Sequence, residues 1–250
     1  MDIATRFVEA LDADASAPGE DPDLLPVRLA HVAAAVLPVD GVGLSIHGEP
    51  GLRTPLAASS KVAATAERLQ FTAGSGPCLL AAESALPVFA TEDVLARRWP
   101  PFHDLLVTHT PLRSVLALSL PGRLKGMGAI DLYLTDPDGA IAVDVFEARC
   151  VAELVSDHLD VAADWSVWTP TGIAAEKPAW ADTPDARRRG RVWRAVGMLM
   201  LALEAPAPDA LAALRGYAYA AGRTADDVAI DLIERRLQPE QLREDRGSCH

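Results

Sequence analysis

The sequence predicts an α+β protein, with an antiparallel sheet flanked by helices at both ends and a three-helix bundle after it. Three observations support this. Residues 114–120 (SVLALSL) and 128–134 (GAIDLYL) are the two clearest strands, joined by Pro121-Gly-Arg-Leu-Lys-Gly126. Helical stretches bracket the sheet region, residues 1–37 before it and 143–163 after it. Residues 192–237 then hold three further helical periods separated by two short breaks.

The remaining elements follow in order. Phe7, Val8 and Leu11 mark a first helix, and after an Asp/Pro/Gly break a second covers residues 25–37. Gly41-Val-Gly-Leu-Ser-Ile46 reads as a strand, Gly48-Glu-Pro-Gly51 as a turn, and residues 52–58 as a second strand. A helix over residues 61–70 ends before Phe71-Thr-Ala-Gly-Ser-Gly-Pro77-Cys78. A short helix (79–84), a strand (87–90) and a helix (99–108) with Pro100-Pro101 in its first turn lead to the two clear strands. In the last third, Val192, Ala195, Val196, Leu199, Met200 and Leu203 share one helix face. Pro206-Ala-Pro208 ends that helix and opens the next, whose stripe is Leu211, Leu214, Ala218 and Ala221, with Gly222 closing it in a left-handed conformation. Thr224-Ala-Asp-Asp227 is a variant N-cap box ahead of Val228, Leu232 and Ile233.

These patterns divide the chain into a sheet domain (1–164), a connection (165–183), the bundle (184–238) and a tail (239–250) expected to be disordered. The connection lacks a steady period, yet its Trp165, Trp168 and Trp180 are too many for a floppy linker and are expected to dock on a domain or a second subunit. Apolar runs are too short or too charged for a membrane span, and the first residues lack the basic start and apolar middle of a signal peptide. Three widely spaced cysteines give neither a disulfide framework nor zinc spacing, so the expected location is cytoplasmic.

Charge is unevenly shared. The chain carries a net −12, but residues 184–250 hold 11 basic and 10 acidic side chains, leaving the first 183 residues with 12 basic and 25 acidic. An acidic first domain repels nucleic acid at long range, so any contact with RNA belongs to the C-terminal part.

Two family resemblances follow from particular residues. Ala195-Val-Gly197-Met198-Leu-Met200, Arg215-Gly-Tyr217-Ala218 and Arg223-Thr-Ala-Asp-Asp227-Val228-Ala229, in this order and spacing, resemble the ANTAR domain, an RNA-binding antitermination module, over roughly residues 186–237. Phe71-Thr-Ala-Gly74-Ser-Gly76-Pro77-Cys78 and Gly128-Ala-Ile-Asp-Leu-Tyr-Leu-Thr135, ending in Asp136-Pro-Asp-Gly139, resemble a GAF domain over roughly residues 20–164. Together they imply a bacterial regulator in which a GAF-like sensory domain, with an unknown small-molecule ligand or protein partner, controls an ANTAR-like bundle that binds an RNA hairpin in a terminator region, as a homodimer. The RNA-binding residues expected on this basis are Arg189, Arg194, Arg215, Tyr217, Arg223, Arg235 and Arg236. Ala195, Gly197, Met200 and Ala218 are expected to pack helix against helix, since a glycine inside a helix costs about 0.5–1 kcal/mol relative to alanine and usually has a packing reason.

The departures from the family pattern supply an alternative, with RNA binding still the leading reading. Val196, Ala202, Gly216 and Asp226 stand where ANTAR domains commonly carry basic residues, and Leu211 replaces a usual phenylalanine. Each lost cation removes a phosphate contact. The alternative is a dimerisation or partner-docking protein whose degenerate ANTAR unit lacks RNA affinity. An enzyme of the GAF reductase type ranks third, because Cys78 and Cys150 are the only cysteines in that domain and nothing brings them together in sequence. Cys78 itself reads as a small buried residue before it reads as a redox sensor. No nucleophile stands beside a base, His103 and His109 are wrongly spaced for one helix face, and Gly74-Ser-Gly76 lacks the Gly-Lys-Ser/Thr of a phosphate loop. No catalytic residue, metal or cofactor is expected.

Overall fold

The computed structural model describes residues 1–15, 25–48, 53–162 and 183–244. The expected connection, apart from Thr183, lies outside the described residues, as do its three tryptophans, the end of the 48–51 turn and residues 245–250.

Five strands, β1 (Gly41–His47), β2 (Arg53–Ala58), β3 (Val88–Ala90), β4 (Ser114–Ser119) and β5 (Gly128–Leu134), form one sheet in the order β2-β1-β5-β4-β3. Every neighbouring pair is antiparallel. Side chains alternate between the faces of a strand, and here both faces are covered. Val42, Leu44, Ile46, Leu116, Leu118, Ile130 and Leu132 point into one core with α1 (Ile3–Ala15), α2 (Leu25–Val36) and α8 (Val145–Ala162). Val115, Ala117 and Tyr133 point the other way, onto α3 (Lys61–Ala73) and α6 (Pro100–His109). Helix α4 (Pro77–Ser84) packs on that second face through Cys78 and Ala82 against Ala129. The short helices α5 (Glu92–Arg98) and α7 (Gly139–Ala142) complete the domain.

The bundle comprises α9 (Pro184–Leu203), α10 (Ala207–Ala220) and α11 (Ala225–Ile233), followed by α12 (Gln241–Glu244). Its ends are set by local chemistry. Thr183 caps α9, its hydroxyl accepting from the Ala186 amide at 3.2 Å with Pro184 in the first turn, and Thr224 caps α11 by accepting from the Asp227 amide at 3.1 Å. Gly222 takes a left-handed φ of 61° after α10. Val192, Ala195, Val196, Leu199, Leu214, Ala218, Val228, Ala229 and Leu232 make the bundle core.

The α+β architecture expected from the sequence is therefore present, with several local differences. Helix α5 was not anticipated; Thr91 caps it, with acidic Glu92 and Asp93 in its first turn and Arg97 and Arg98 in its last, both favourable to the helix dipole. Helix α3 continues past residue 70 to Ala73, because Gly74 provides a left-handed C-cap with φ of 75°. This places Phe71 and Thr72 on a helix instead of in a loop. Within the tail expected to be disordered (239–250), residues 241–244 form α12, and Leu242, only 2% exposed, joins the bundle core. Lastly, two of the residues expected to pack helices do not. A Cβ added at Gly197 meets nothing within 4 Å, and Met200 is an exposed side chain, because both fall outside the arc of α9 that faces α10 and α11. Ala195 and Ala218 are fully buried.

Close approach matters elsewhere, at Gly43. A Cβ there would lie 2.2 Å from Glu67 Oε1 and 2.5 Å from its carboxyl carbon, so the glycine leaves room for the Glu67 side chain to reach the sheet. Gly43→Val is expected to lower unfolding free energy by about 1–3 kcal/mol, as overpacking does, whereas Gly197→Leu should stay within about 0.5 kcal/mol. Urea denaturation of the two variants checks the contrast.

Candidate functional site

Helix α3 has work on two sides. Toward the sheet, Glu67 and Gln70 enter a buried polar network with Arg53 of β2 and Asp131 and Tyr133 of β5. Arg53 Nη1 donates to the Glu67 main-chain oxygen at 2.9 Å, while Nη2 pairs with the Glu67 carboxylate and lies 3.4 Å from Asp131 Oδ2. The Tyr133 hydroxyl donates to Glu67 Oε1 at 2.6 Å. Gln70 Nε2 donates to Asp131 Oδ2 at 3.1 Å, and Gln70 Oε1 accepts from the Cys78 amide at 3.1 Å. A Cβ at Gly76 would overlap Gln70 Oε1 at 2.2 Å, so this glycine, like Gly43, makes space for a polar side chain of α3.

One guanidinium faces two carboxyls here. Burial pushes the Asp131 carboxyl well above the usual range; Glu67 adds to the shift and Arg53 opposes it. Burial also drives the Cys78 thiol upward, against the pull of Arg53, which keeps it protonated and unsuited to thiolate chemistry. Cys78 and Cys150 are both free and pack in different clusters, on opposite faces of the sheet. Nearby, burial and then Arg53 lower His47 to about 3, so it is a neutral imidazole, its Nε2 3.0 Å from the Ser45 hydroxyl.

On its other side α3 carries the bundle. Phe71 is 1% exposed and belongs to the bundle core. The Arg189 guanidinium carbon sits 3.3 Å from the centroid of the Phe71 ring, that of Arg215 at 4.3 Å, and Trp193 meets the ring edge-on at 6.5 Å. Arg189 is itself 1% exposed, with Asp226 of α11 at 3.6 Å as its counter-ion. At that distance the pair is electrostatic and not hydrogen-bonded, and no hydrogen-bond partner for the three Arg189 nitrogens occurs among the described residues. Burial lowers Arg189 to about 10, with Asp226 opposing and Arg53 and Arg215 assisting; burial and then Arg53 lower Arg215 to about 10 as well. Two polar contacts close the junction. The Ala225 amide donates to Thr72 Oγ1 at 2.9 Å, and the Tyr219 hydroxyl donates to Asp104 of α6 at 3.0 Å.

The expected RNA-binding residues therefore separate into groups. Arg189 and Arg215 meet on Phe71 at the domain junction, where Arg189 is buried and not open to a phosphate. Arg223 and Arg236 converge on Asp231, each 2.6 Å from it, and their hydrogen bonds hold its carboxyl below the usual range. Tyr217 packs half-buried against the bundle core, while Arg194 and Arg235 are exposed. Sequence reasoning missed Phe71, Thr72, Arg53, Glu67 and Gln70 as members of a site. It also marked Asp226 as a missing cation, whereas Asp226 is the counter-ion of Arg189.

No protein-family model matches the chain, and no curated protein matches it. Among solved structures it is similar to a domain assigned to a two-component sensor histidine kinase of Sinorhizobium meliloti 1021, at 14% identity, 59% of this chain, 96% of that one and a TM-score of 0.44. It is also similar to the GAF domain of a phosphoenolpyruvate-protein phosphotransferase from Coxiella burnetii (13% identity, 64% and 95% covered, TM-score 0.43). The GAF domain of the Acinetobacter phosphoenolpyruvate-protein phosphotransferase is a third (12% identity, 65% and 95% covered, TM-score 0.39).

Removing one partner of a buried ion pair strands the other. Arg189→Leu is expected to cost about 3–5 kcal/mol by leaving Asp226 uncompensated, and the double change with Asp226→Leu to recover most of that loss. Chemical denaturation of the two single variants and the double variant measures the coupling.

Proposed function

We propose that the chain is a signal-responsive transcription regulator whose 184–238 bundle binds RNA hairpins, under control of the sheet domain acting as a GAF-like sensor. The observation that supports this best is the junction itself. Phe71 of the sheet domain holds Arg189 and Arg215 of the bundle, so the domain that would receive a signal also sequesters two of the cations that would meet phosphate. In the docked arrangement Arg194 and Arg235 remain exposed, with Arg223 and Arg236 partly neutralised by Asp231. A signal at the sheet domain, from a small molecule or protein partner, loosens the junction, frees Arg189 and Arg215 and raises affinity for the hairpin. Antitermination follows from competition with a terminator, and a homodimer presents two such bundles.

A second reading has its own support. The pairing of four of the six candidate arginines, two on Phe71 and two on Asp231, suits a docking or dimerisation module without RNA affinity. One experiment separates the two. RNAs selected from a bacterial transcriptome by the full chain are titrated against the wild type and against Phe71→Ala across a salt series. The regulator reading expects tighter binding by the variant and a log–log salt slope steeper by about two, one unit for each freed phosphate contact. Binding no better than non-specific by both proteins at moderate salt replaces it with the docking reading.

A further inference from the structure

A second feature of the domain junction lies beside the Phe71 contact and takes no part in it. Between α3, the end of α6, the first turns of α9 and the α10–α11 turn is a cleft of about 240 Å3. Arg68, Arg188 and Arg223 line it together with His109, and Asp227 is the one acidic side chain in its wall. The cations come from α3, α9 and the α10–α11 turn, so two belong to the bundle and one, with His109, to the sheet domain. In a chain of net charge −12 this is a local reversal of sign.

Each arginine already has some local support. Arg68 Nη2 donates to Thr65 Oγ1 at 2.8 Å, which fixes its guanidinium on the rim, and Arg223 is held by Asp231 at 2.6 Å. Asp185 interacts electrostatically with Arg68 and Arg188, and burial raises its carboxyl above the usual range. The lining itself holds three guanidiniums and one carboxylate, with Asp231 paired to Arg223 and Asp185 interacting with Arg68 and Arg188 from outside it. The start of α11 is already capped by Thr224, so the attraction for an anion rests on the arginine side chains and not on the helix end. Arginines lining one recess from three separate elements match the several oxygens of a phosphoryl group, which arginine recognises through paired N–H donors. The cleft is smaller than the ~300–1,000 Å3 of typical drug-sized pockets, which suits a diphosphate or a short phosphorylated metabolite.

We propose that this cleft is a binding site for a small phosphorylated anion. The occupant touches both domains at once, so it ties the bundle to the sheet domain and favours the docked arrangement. The proposal stands whether or not the bundle binds RNA.

Inorganic pyrophosphate is the probe. The full chain is titrated with it by calorimetry and thermal unfolding at constant ionic strength, with sodium chloride as the matched control. Saturable binding and a rise in Tm are expected for the wild type and for Arg191→Gln, an exposed arginine of α9 outside the cleft. Arg188→Gln and Arg68→Gln are each expected to weaken binding at least tenfold. Far-UV circular dichroism identifies any variant that fails to fold, in which case the other decides. The absence of saturable binding, an equal rise in Tm with chloride, or unchanged affinity in a folded cleft variant overturns the proposal. So does loss of hairpin binding in the cleft variants without any pyrophosphate response, which would give the cleft to RNA.

Discussion

The burial of Arg189 is the constraint on which the arrangement of the two domains depends. A guanidinium cannot leave water without a partner of opposite charge and a surface that replaces some of its hydration. The bundle supplies the first as Asp226, and the sheet domain supplies the second as the Phe71 ring, 3.3 Å away. A cation–π contact gains strength when desolvated, about 2 kcal/mol or more, so each partner makes the other more effective. Neither domain buries this arginine alone. Charge, ring and counter-ion come from α9, α3 and α11, and docking is what brings them together.

The same constraint makes α3 a shared element. At about 100° per residue, the Glu67–Gln70 pair and the Phe71–Thr72 pair are centred about 120° apart, so neighbouring faces of one helix serve the sheet and the bundle. The sheet-side face is held by a network in which Arg53 pairs with Glu67 while burial raises the Asp131 carboxyl. The bundle-side face is held by Phe71 and by the hydrogen bond from Ala225 to Thr72. A change in charge or packing within the network acts on the helix that carries the junction. That is a physical route from one domain to the other without a long chain of intermediates. Among the described residues, no single helix is long and apolar enough to cross a membrane.

Much of this was legible in the sequence, and the reasons for the rest are specific. The short apolar runs of β4 and β5, the 3.6-residue stripes of α9 to α11 and the Thr224 cap are local signals, and local signals survive folding. The network was not legible, because Arg53, Glu67, Gln70 and Asp131 are ordinary polar residues until tertiary structure buries them. One clue was available: Asp131 interrupts an otherwise apolar strand, GAIDLYL, whose neighbours on both sides are buried. Arg189 hid among Arg187, Arg188 and Arg191, which composition cannot tell apart. Its phase could have distinguished it, since Arg189, Val192, Val196 and Leu199 fall on one side of α9 and all are buried. Gly197 misled in the opposite direction, because family resemblance stood in for that same test of phase, and Met200, which fits the stripe by periodicity, lies at its edge and is exposed. Phe71 was assigned to a loop, and the left-handed cap at Gly74 that lengthens α3 decides its role.

The central claim is that sheet domain and bundle form one cooperative unit through α3. It is tested most directly with two full-length variants that keep a single tryptophan, Trp99 in the sheet domain or Trp193 beside Phe71, the others being replaced by phenylalanine. Equilibrium urea unfolding is followed by the fluorescence of each. A single cooperative unit gives coincident transitions with the same midpoint and slope. Two separated transitions, with Trp193 reporting loss of the bundle while Trp99 still reports a folded sheet domain, would contradict the account.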